Sequence, residues 1–444
     1  MLKKMAETFL YHIWDEQHLQ ENLQTRDEQD LKILFQGKWN NQAGPDFKDA
    51  IILLNNKKVQ GDVEIHRYEA DWYHHEHQEN RNFNDVVLHV IFEQNNSNKF
   101  TISECGNKIP ILIMKNNLDE RVEKLWDKYG NAPFDKTQDK TILCKLAQSD
   151  ISPTQLSKIL FSEGENRFEK KCKRFSAELY NSDFNQILYK GIMEALGYSK
   201  NKSPFLRLAS KLTYNKLQKL SHDCDSPHDI FCILSIYSGI DPHKYNFKFI
   251  DNSILERYQA HLERYKEQID DENLQNYQWN FFRLRPTNHP LFRMWQISPF
   301  LFASIQNNII NRIMSIFSVS GNEKIKVSKF PNLFYDILNP DNERLPKIGK
   351  SRCDDIFFNI ILPVAHLYAK TLGYQELAET IIHIYKNSGK LSENHITRFV
   401  YTRLKDKIPN KKKLKLIHQQ GLIQHYYRFC THFDCQNCLN NFLP

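Results

Sequence analysis

A chain of 444 residues exceeds what one hydrophobic core ordinarily organises and predicts two or three domains. Hydrophobic residues at 41%, aromatic residues at 12% and charged residues at 25% exclude a disordered chain and match a globular one. The 60 Lys and Arg against 53 Asp and Glu leave a net charge of +7, compatible with a polyanionic partner without requiring one. No uninterrupted apolar run is long enough to span a bilayer, and no signal-peptide core follows Met1-Leu2-Lys3-Lys4, so no membrane association is expected. The expected location is cytoplasmic, where the nine cysteines would be mostly reduced.

In chain order, residues 1–117 read as a mixed α/β unit. An opening helix carries Glu7, Phe9, Leu10 and Trp14. After Gly44-Pro45-Asp46-Phe47 comes Ala50-Ile51-Ile52-Leu53-Leu54, a β-branched strand, then the polar turn Asn55-Asn56-Lys57-Lys58 and a second strand holding Gly61-Asp62-Val63-Glu64-Ile65-His66. Strand alternation puts Asp62, Glu64 and His66 on one face and Val63 and Ile65 into the core, with Asp46 converging from the start of the first strand. Paired carboxylates in this arrangement suit Mg²⁺ or Mn²⁺, ions that carry water onto phosphodiesters. Asp46, Glu64 and His66 are therefore the candidate catalytic set. The plainer alternative makes Asp46 a turn residue after proline and the other two an exposed strand face.

Next comes Asp71-Trp72-Tyr73-His74-His75-Glu76-His77, followed by the buried strand Val86-Val87-Leu88-His89-Val90-Ile91-Phe92. On an extended segment His75 and His77 would face one way, and with His66 and His89 they offer an all-nitrogen site for Zn²⁺, Fe or Mn. His89 is equally explained as a hydrogen-bonded core histidine.

Beyond Leu118 apolar residues recur at helical spacing. The pattern predicts helices over Leu118 to Tyr129 and Ser152 to Leu179, the second starting on a Ser152-Pro153 cap, then over Phe184 to Leu196, Phe205 to Leu220, Ile230 to Gly239 and Ile254 to Asn273. Phe300 to Phe317, Asp354 to Leu372 and Gln375 to Tyr385 continue the series. Asp135 to Lys140 and Val319 to Lys324 read as loops. The expected class is α+β: a mixed α/β sheet domain over 1–117, a helical domain over 118–320, and a helical region over 321–444 with a cysteine-rich tail.

Basic clusters occur at Arg167 to Arg174 and at Lys405 to Lys415, the latter including Lys411, Lys412 and Lys413. Aromatics and arginines interleave at Trp279-Asn280-Phe281-Phe282-Arg283-Leu284-Arg285, with Arg293 shortly after, as on surfaces that stack bases and hold phosphates. Solvated helix faces or buried salt bridges explain the same residues. A DNA or RNA partner is the functional expectation from this set.

At the tail, Cys430, Cys435 and Cys438 form a C-x₄-C-x₂-C array. Its spacing matches the first three ligands of plant-type iron-sulfur proteins and also suits zinc, so an upstream residue must complete a four-ligand site. Cys353 is the first choice, with His432 or His425 as nitrogen alternatives. Cys105, Cys144, Cys172, Cys224 and Cys232 are expected to be isolated buried thiols.

The run Pro45-Asp46, strand, turn, Glu64-x-His66 resembles the nuclease superfamily named for its Pro-Asp and Asp/Glu-x-Lys motifs. That resemblance implies metal binding by Asp46 and Glu64, with Glu7 as an extra acidic ligand and His66 in the place of the lysine that orients water. Lys57 or Lys58 is the alternative source of that cation. Some members of the superfamily carry an iron-sulfur cluster, which the tail cysteines would match. Over nearly the whole chain, Glu7-Thr8-Phe9-Leu10, Trp14, the two motif runs, Asp71-Trp72, His75, His77, Leu88-His89-Val90, Arg283 to Pro290, Asn359 to Pro363 and Gln419 to Ile423 resemble an uncharacterised bacterial family catalogued as domain of unknown function 2851. The expectation is a metal-dependent nuclease or nuclease-derived nucleic-acid protein. Its rivals are a non-catalytic nucleic-acid-binding or assembly factor and a histidine-ligated metal enzyme acting on a small molecule.

Overall fold

The computed structural model describes residues 7–20, 22–40, 43–95, 97–129, 144–198, 200–265, 279–281, 284–318, 326–340, 346–408, 414–430 and 435–440. The architecture is α+β, with a mixed sheet near the start of the chain and helices thereafter. The chain forms two compact units: 1–181 with 393–414 and 418–444, and 182–392 with 415–417.

The first unit is built on helix α1 (Glu7–Glu16) and strands β1 (Leu23–Gln24), β2 (Asp30–Phe35), β3 (Lys38–Trp39), β4 (Phe47–Leu54), β5 (Lys57–His66), β6 (Val86–Ile91), β7 (Phe100–Ile102) and β8 (Lys108–Ile113). Sheet order is β1-β2-β4-β5-β6-β8-β7, with β3 paired to β4. Strands β2, β4 and β5 are antiparallel, while β5-β6 and β6-β8 are parallel. The β4-β5 hairpin closes on Asn55 and Asn56, both at positive φ (47° and 63°), which the primed two-residue turn requires and asparagine tolerates. One sheet face buries Phe47, Val63, Ile65, Leu88 and Val90 against Phe9, Leu10, Ile13 and Trp14 of α1. The other face carries Glu64, His66 and His89, all buried, beneath helix α2 (Ala70–His74) and two following turns. Trp72 and Phe83 seal that layer with Val86 and Ile109.

The rest of the first unit is helical. Pro153–Glu178 starts on Ser152, whose side chain and Gln155 form a reciprocal capping box. Its Leu156 and Leu160 pack with Leu404, Leu422 and Phe429 from far along the chain. Gly421 of helix Leu416–Arg428 abuts the Leu160 carbonyl so closely that an added Cβ would lie 1.9 Å from the oxygen. Glu163 and Arg428 pair at 2.8 Å beside that crossing.

In the second unit the periodicity reading holds with two divisions. The span expected from Phe205 to Leu220 is two helices, Lys202–Lys211 and Tyr214–Leu220, because the Thr213 hydroxyl caps the Lys216 amide and restarts the chain. That from Phe300 to Phe317 divides into Pro290–Ile305 and Ile309–Ser318 at Asn308, whose φ is 59°. The predicted Asp354 to Leu372 helix runs through a π turn, Phe357–Ile361, just ahead of Pro363, whose missing amide donor the wider turn accommodates. The expected loops at 135–140 and 319–324 lie outside the described residues. No helix among the described residues is long and apolar enough to cross a membrane.

Candidate metal centre

The site begins with an irregularity in the β4-β5 ladder. Phe47 pairs with Val63 and Ala50 with Gly61, so Lys48 and Asp49 bulge, Asp49 at φ 59°. Asp62 pins the bulge: its carboxylate accepts from the Asp49 amide (3.1 Å) and from Lys48 Nζ (2.7 Å). Past the bulge, side chains take over the hydrogen bonds between the strands. Glu64 Oε2 accepts from the Asp46 amide and Asp46 Oδ2 from the Ile65 amide, both at 3.0 Å, and Tyr11 also hydrogen-bonds Asp46. Gly61 is required here, because a Cβ would meet Val87 at 2.3 Å and the Asp85 carbonyl at 2.5 Å.

Glu64 Oε1 points the other way, toward histidines. It lies 3.1 Å from His77 Nε2 and 3.4 Å from His66 Nε2, while His66 Nε2 is 3.1 Å from His75 Nδ1. Ligand atoms of His66, His75 and His77 all fall within 4.8 Å of one another. Two ligands held about 2.1 Å from one ion sit about 3.0 to 3.4 Å apart, so these spacings are those of a shared coordination sphere. The segment between His75 and His77 is not extended, as alternation would require. His75 ends α2 and His77 opens a short 3₁₀ turn, and Glu76 joins them in the left-handed region at φ 57°. The rings converge because the chain reverses there.

Packing fixes the rings. His77 stacks on Phe83 with centroids 3.8 Å apart and meets the edge of Trp72. His89, fully buried, faces His66 Nδ1 through its Nε2 at 2.9 Å. If His66 Nε2 is to offer a lone pair, its proton sits on Nδ1 and is donated to His89, which makes His89 a positioning group behind the ligand. His75 is exposed and marks the open side of the site.

The electrostatics suit a cation-binding site. Burial, then the charges of Asp46 and Asp71, raise Glu7 to about 7. Burial raises Glu64 to about 8, helped by Glu7 and Asp62 and opposed by the Asp46 amide and Lys48. Burial holds His77 down at about 4 and His89 at about 3, and burial followed by the neighbouring imidazoles depresses His66. Neutral imidazoles beside carboxyls that resist ionisation are what a divalent ion would convert into a ligand set. A second cluster, Cys224, Asp229 and His261, is also compact. There Arg257 already reaches Asp229 at 2.9 Å, and bonds from His261, Arg257 and Ser226 overcome burial to hold Asp229 well below the carboxylate range. That group has its cation built in.

The structure thus joins Asp46, Glu64, His66, His75, His77 and His89, with Glu7 on the acidic side. Lys58 donates to the Glu178 carbonyl (3.1 Å), and the lysine that neighbours Glu64 is Lys48, signalled by its place two residues beyond Asp46. Arg167 and Lys171 donate to Gln420 and tie two helices together, while Arg174 pairs with Glu178 one turn along its own helix. Arg285 is exposed, whereas Arg293 is buried and donates to Gln296, Tyr198 and Asn288 at 2.6 to 2.7 Å. Arg283, Lys411, Lys412, Lys413 and His432 lie outside the described residues. Cys353 belongs to the second unit, its thiol engaged with Asn339 and the Ile348 carbonyl, while Cys430, Cys435 and Cys438 belong to the first. Cys105, expected to be buried, is exposed.

No curated protein matches this chain, and no solved structure matches it. The family described as Protein of unknown function (DUF2851) matches residues 7–395, most of the chain. The chain therefore belongs to that family.

Proposed function

We propose that this protein is a metal-dependent hydrolase of phosphodiesters whose ion is held by Glu64, His66, His75 and His77. The observation that carries the reading is Glu64 Oε1 facing two of three clustered imidazole nitrogens at 3.1 and 3.4 Å. Three nitrogens and one carboxylate favour Mn²⁺, Fe²⁺ or Zn²⁺ over Mg²⁺. The bound ion would supply a Lewis acid and an acidified water. The Asp46 amide fixes Glu64, the Asp46 carboxylate is held in turn by the Ile65 amide, and His89 sets the tautomer of His66. The order Pro45-Asp46 just ahead of one strand and Glu64-x-His66 on the next supports a nucleic-acid phosphodiester as substrate.

The imidazole-rich ligand set favours a second reading, hydrolysis of a small molecule at the same ion. Metal content of the purified chain, with cleavage of single- and double-stranded DNA, RNA and a chromogenic phosphodiester under added Mn²⁺ or Zn²⁺, tests both. Glu64→Gln and His75→Ala should lose bound metal and cleavage together. A Glu64→Gln chain that keeps its metal and cuts at the parental rate would overturn the assignment. Metal binding without any nucleic-acid cleavage or salt-dependent nucleic-acid binding would favour the small-molecule reading.

A further inference from the structure

The first unit brings a fourth cysteine to the tail. Cys144, distant in sequence, immediately precedes the short helix Lys145–Gln148, whose Leu146 is buried in the same apolar cluster as Leu422, Phe429 and Cys438. Cys144 and Cys430 both pack against that cluster, and Cys435 and Cys438 lie on the last described helix, Cys435–Asn440. On the side of Cys438, the buried His425 places its Nε2 3.4 Å from the sulfur, within N–H···S reach.

We propose that Cys144, Cys430, Cys435 and Cys438 together form a four-thiolate metal centre that joins the middle of the chain to its tail, independent of the ion proposed for Glu64. The chemistry fits at each position. Cys144 and Cys435 are close enough to Cys430 for their charges to act on its thiol. A metal ion or cluster takes such thiols as thiolates, releasing their protons. Arg403, which also acts on Cys430, adds fixed positive charge beside the site. The buried His425, whose Nε2 faces the sulfur, serves as a donor to Cys438. The C-x₄-C-x₂-C spacing of the last three ligands belongs to iron-sulfur proteins, and C-x₂-C and C-x₄-C pairs also hold zinc. Both are four-thiolate chemistry. Cys353 has other partners in the second unit.

The test uses the full chain carrying His75→Ala and His77→Ala, so that metal held by the histidine site does not contribute. Purified without oxygen, it should retain metal: iron with sulfide and a visible thiolate-to-iron band for a cluster, or one colourless zinc equivalent. Adding Cys144→Ser should abolish that complement, whereas Cys353→Ser should leave it whole. To avoid dependence on variants that fail to fold, timed alkylation of the parental chain follows each thiol by mass spectrometry. The four cysteines should be protected together and become reactive together when the metal is chelated or oxidised away, with exposed Cys105 labelled throughout. A metal-free anaerobic preparation, a Cys144→Ser chain with its full complement, or Cys144 reacting freely while the other three stay protected would each overturn the proposal.

Discussion

Glu64 is asked to do two things with its two oxygens: one accepts the Asp46 amide and the other faces imidazoles. The consequence is measurable through protons. A carboxyl raised to about 8 is mostly protonated at pH 7, and an ion can take it only by displacing that proton. Titration of the metal-free chain with Mn²⁺ or Zn²⁺ at pH 7, in buffers of different ionisation enthalpy, should show close to one proton released per ion, falling toward none above pH 9. Stability carries the same signature. Glu7 and Glu64 are raised from 4.5 to about 7 and about 8, so the folded metal-free chain keeps protons that the unfolded chain sheds, and stability is lost as pH rises through that window. The depressed histidines act oppositely but only below about 6.5. Between pH 6.5 and 8 the melting temperature of metal-free protein should therefore fall, and saturating metal should remove the slope; a flat profile without metal would contradict the burial of these carboxyls. His89→Phe, which removes the partner of His66 Nδ1, should weaken metal binding about 10- to 100-fold while leaving the fold intact.

Legibility differed residue by residue. Strand alternation was enough to place Glu64 and His66 on one face and Val63 and Ile65 on the other, since that period survives any sheet context. The approach of Asp46 was also readable, because a hairpin with a two-asparagine turn fixes the register. The convergence of His75 and His77 was reached for the wrong reason: nothing local announces that Glu76, a residue with a Cβ, adopts positive φ. Cys144 was illegible because its neighbours are supplied by helices from the far end of the chain.

Among the elements, two close approaches do the positioning. Gly61 lets β6 lie against β5, and Gly421 lets helix Leu416–Arg428 cross Pro153–Glu178. Gly61→Ala and Gly421→Ala should each cost about 1–3 kcal/mol or somewhat more in denaturant unfolding, because the obstructing atoms include backbone carbonyls that cannot rotate away. Gly61→Ala should also impair metal binding at the histidine site, since β5 carries Glu64 and His66; Gly421→Ala should leave binding at that site unchanged. Periodicity found the helices because their apolar faces repeat. It merged neighbours at Thr213 and Asn308, where a cap and a single left-handed residue change direction without interrupting the apolar pattern.

For the whole molecule, the decisive fact is that the first unit is discontinuous, with residues 393–414 and 418–444 completing what 1–181 begin. Val400, Leu404, Ile408, Leu422, Phe429 and Cys438 are six of the ten described residues buried in the cluster that holds Leu156 and Leu160. A chain ending at residue 392 should consequently expose that apolar helix face and be recovered as aggregate, whereas the intact chain elutes as a defined species on size exclusion. A soluble, cooperatively unfolding truncation would show that the sheet and α1 suffice for the first unit.

The same discontinuity orders events in time. During synthesis strand β5, which bears Glu64 and His66, emerges early, but the helix that covers Leu160 is made only after residues 182–392. For that interval Leu156 and Leu160 on the long helix Pro153–Glu178 lack the cover that Leu404, Leu422 and Phe429 later supply, and nascent chains with exposed apolar surface are the ones that engage holding chaperones. Assembly of the first unit is therefore a late event, and growth conditions that slow the arrival of residues past 393 should lower the yield of folded protein more than conditions that slow the first 181.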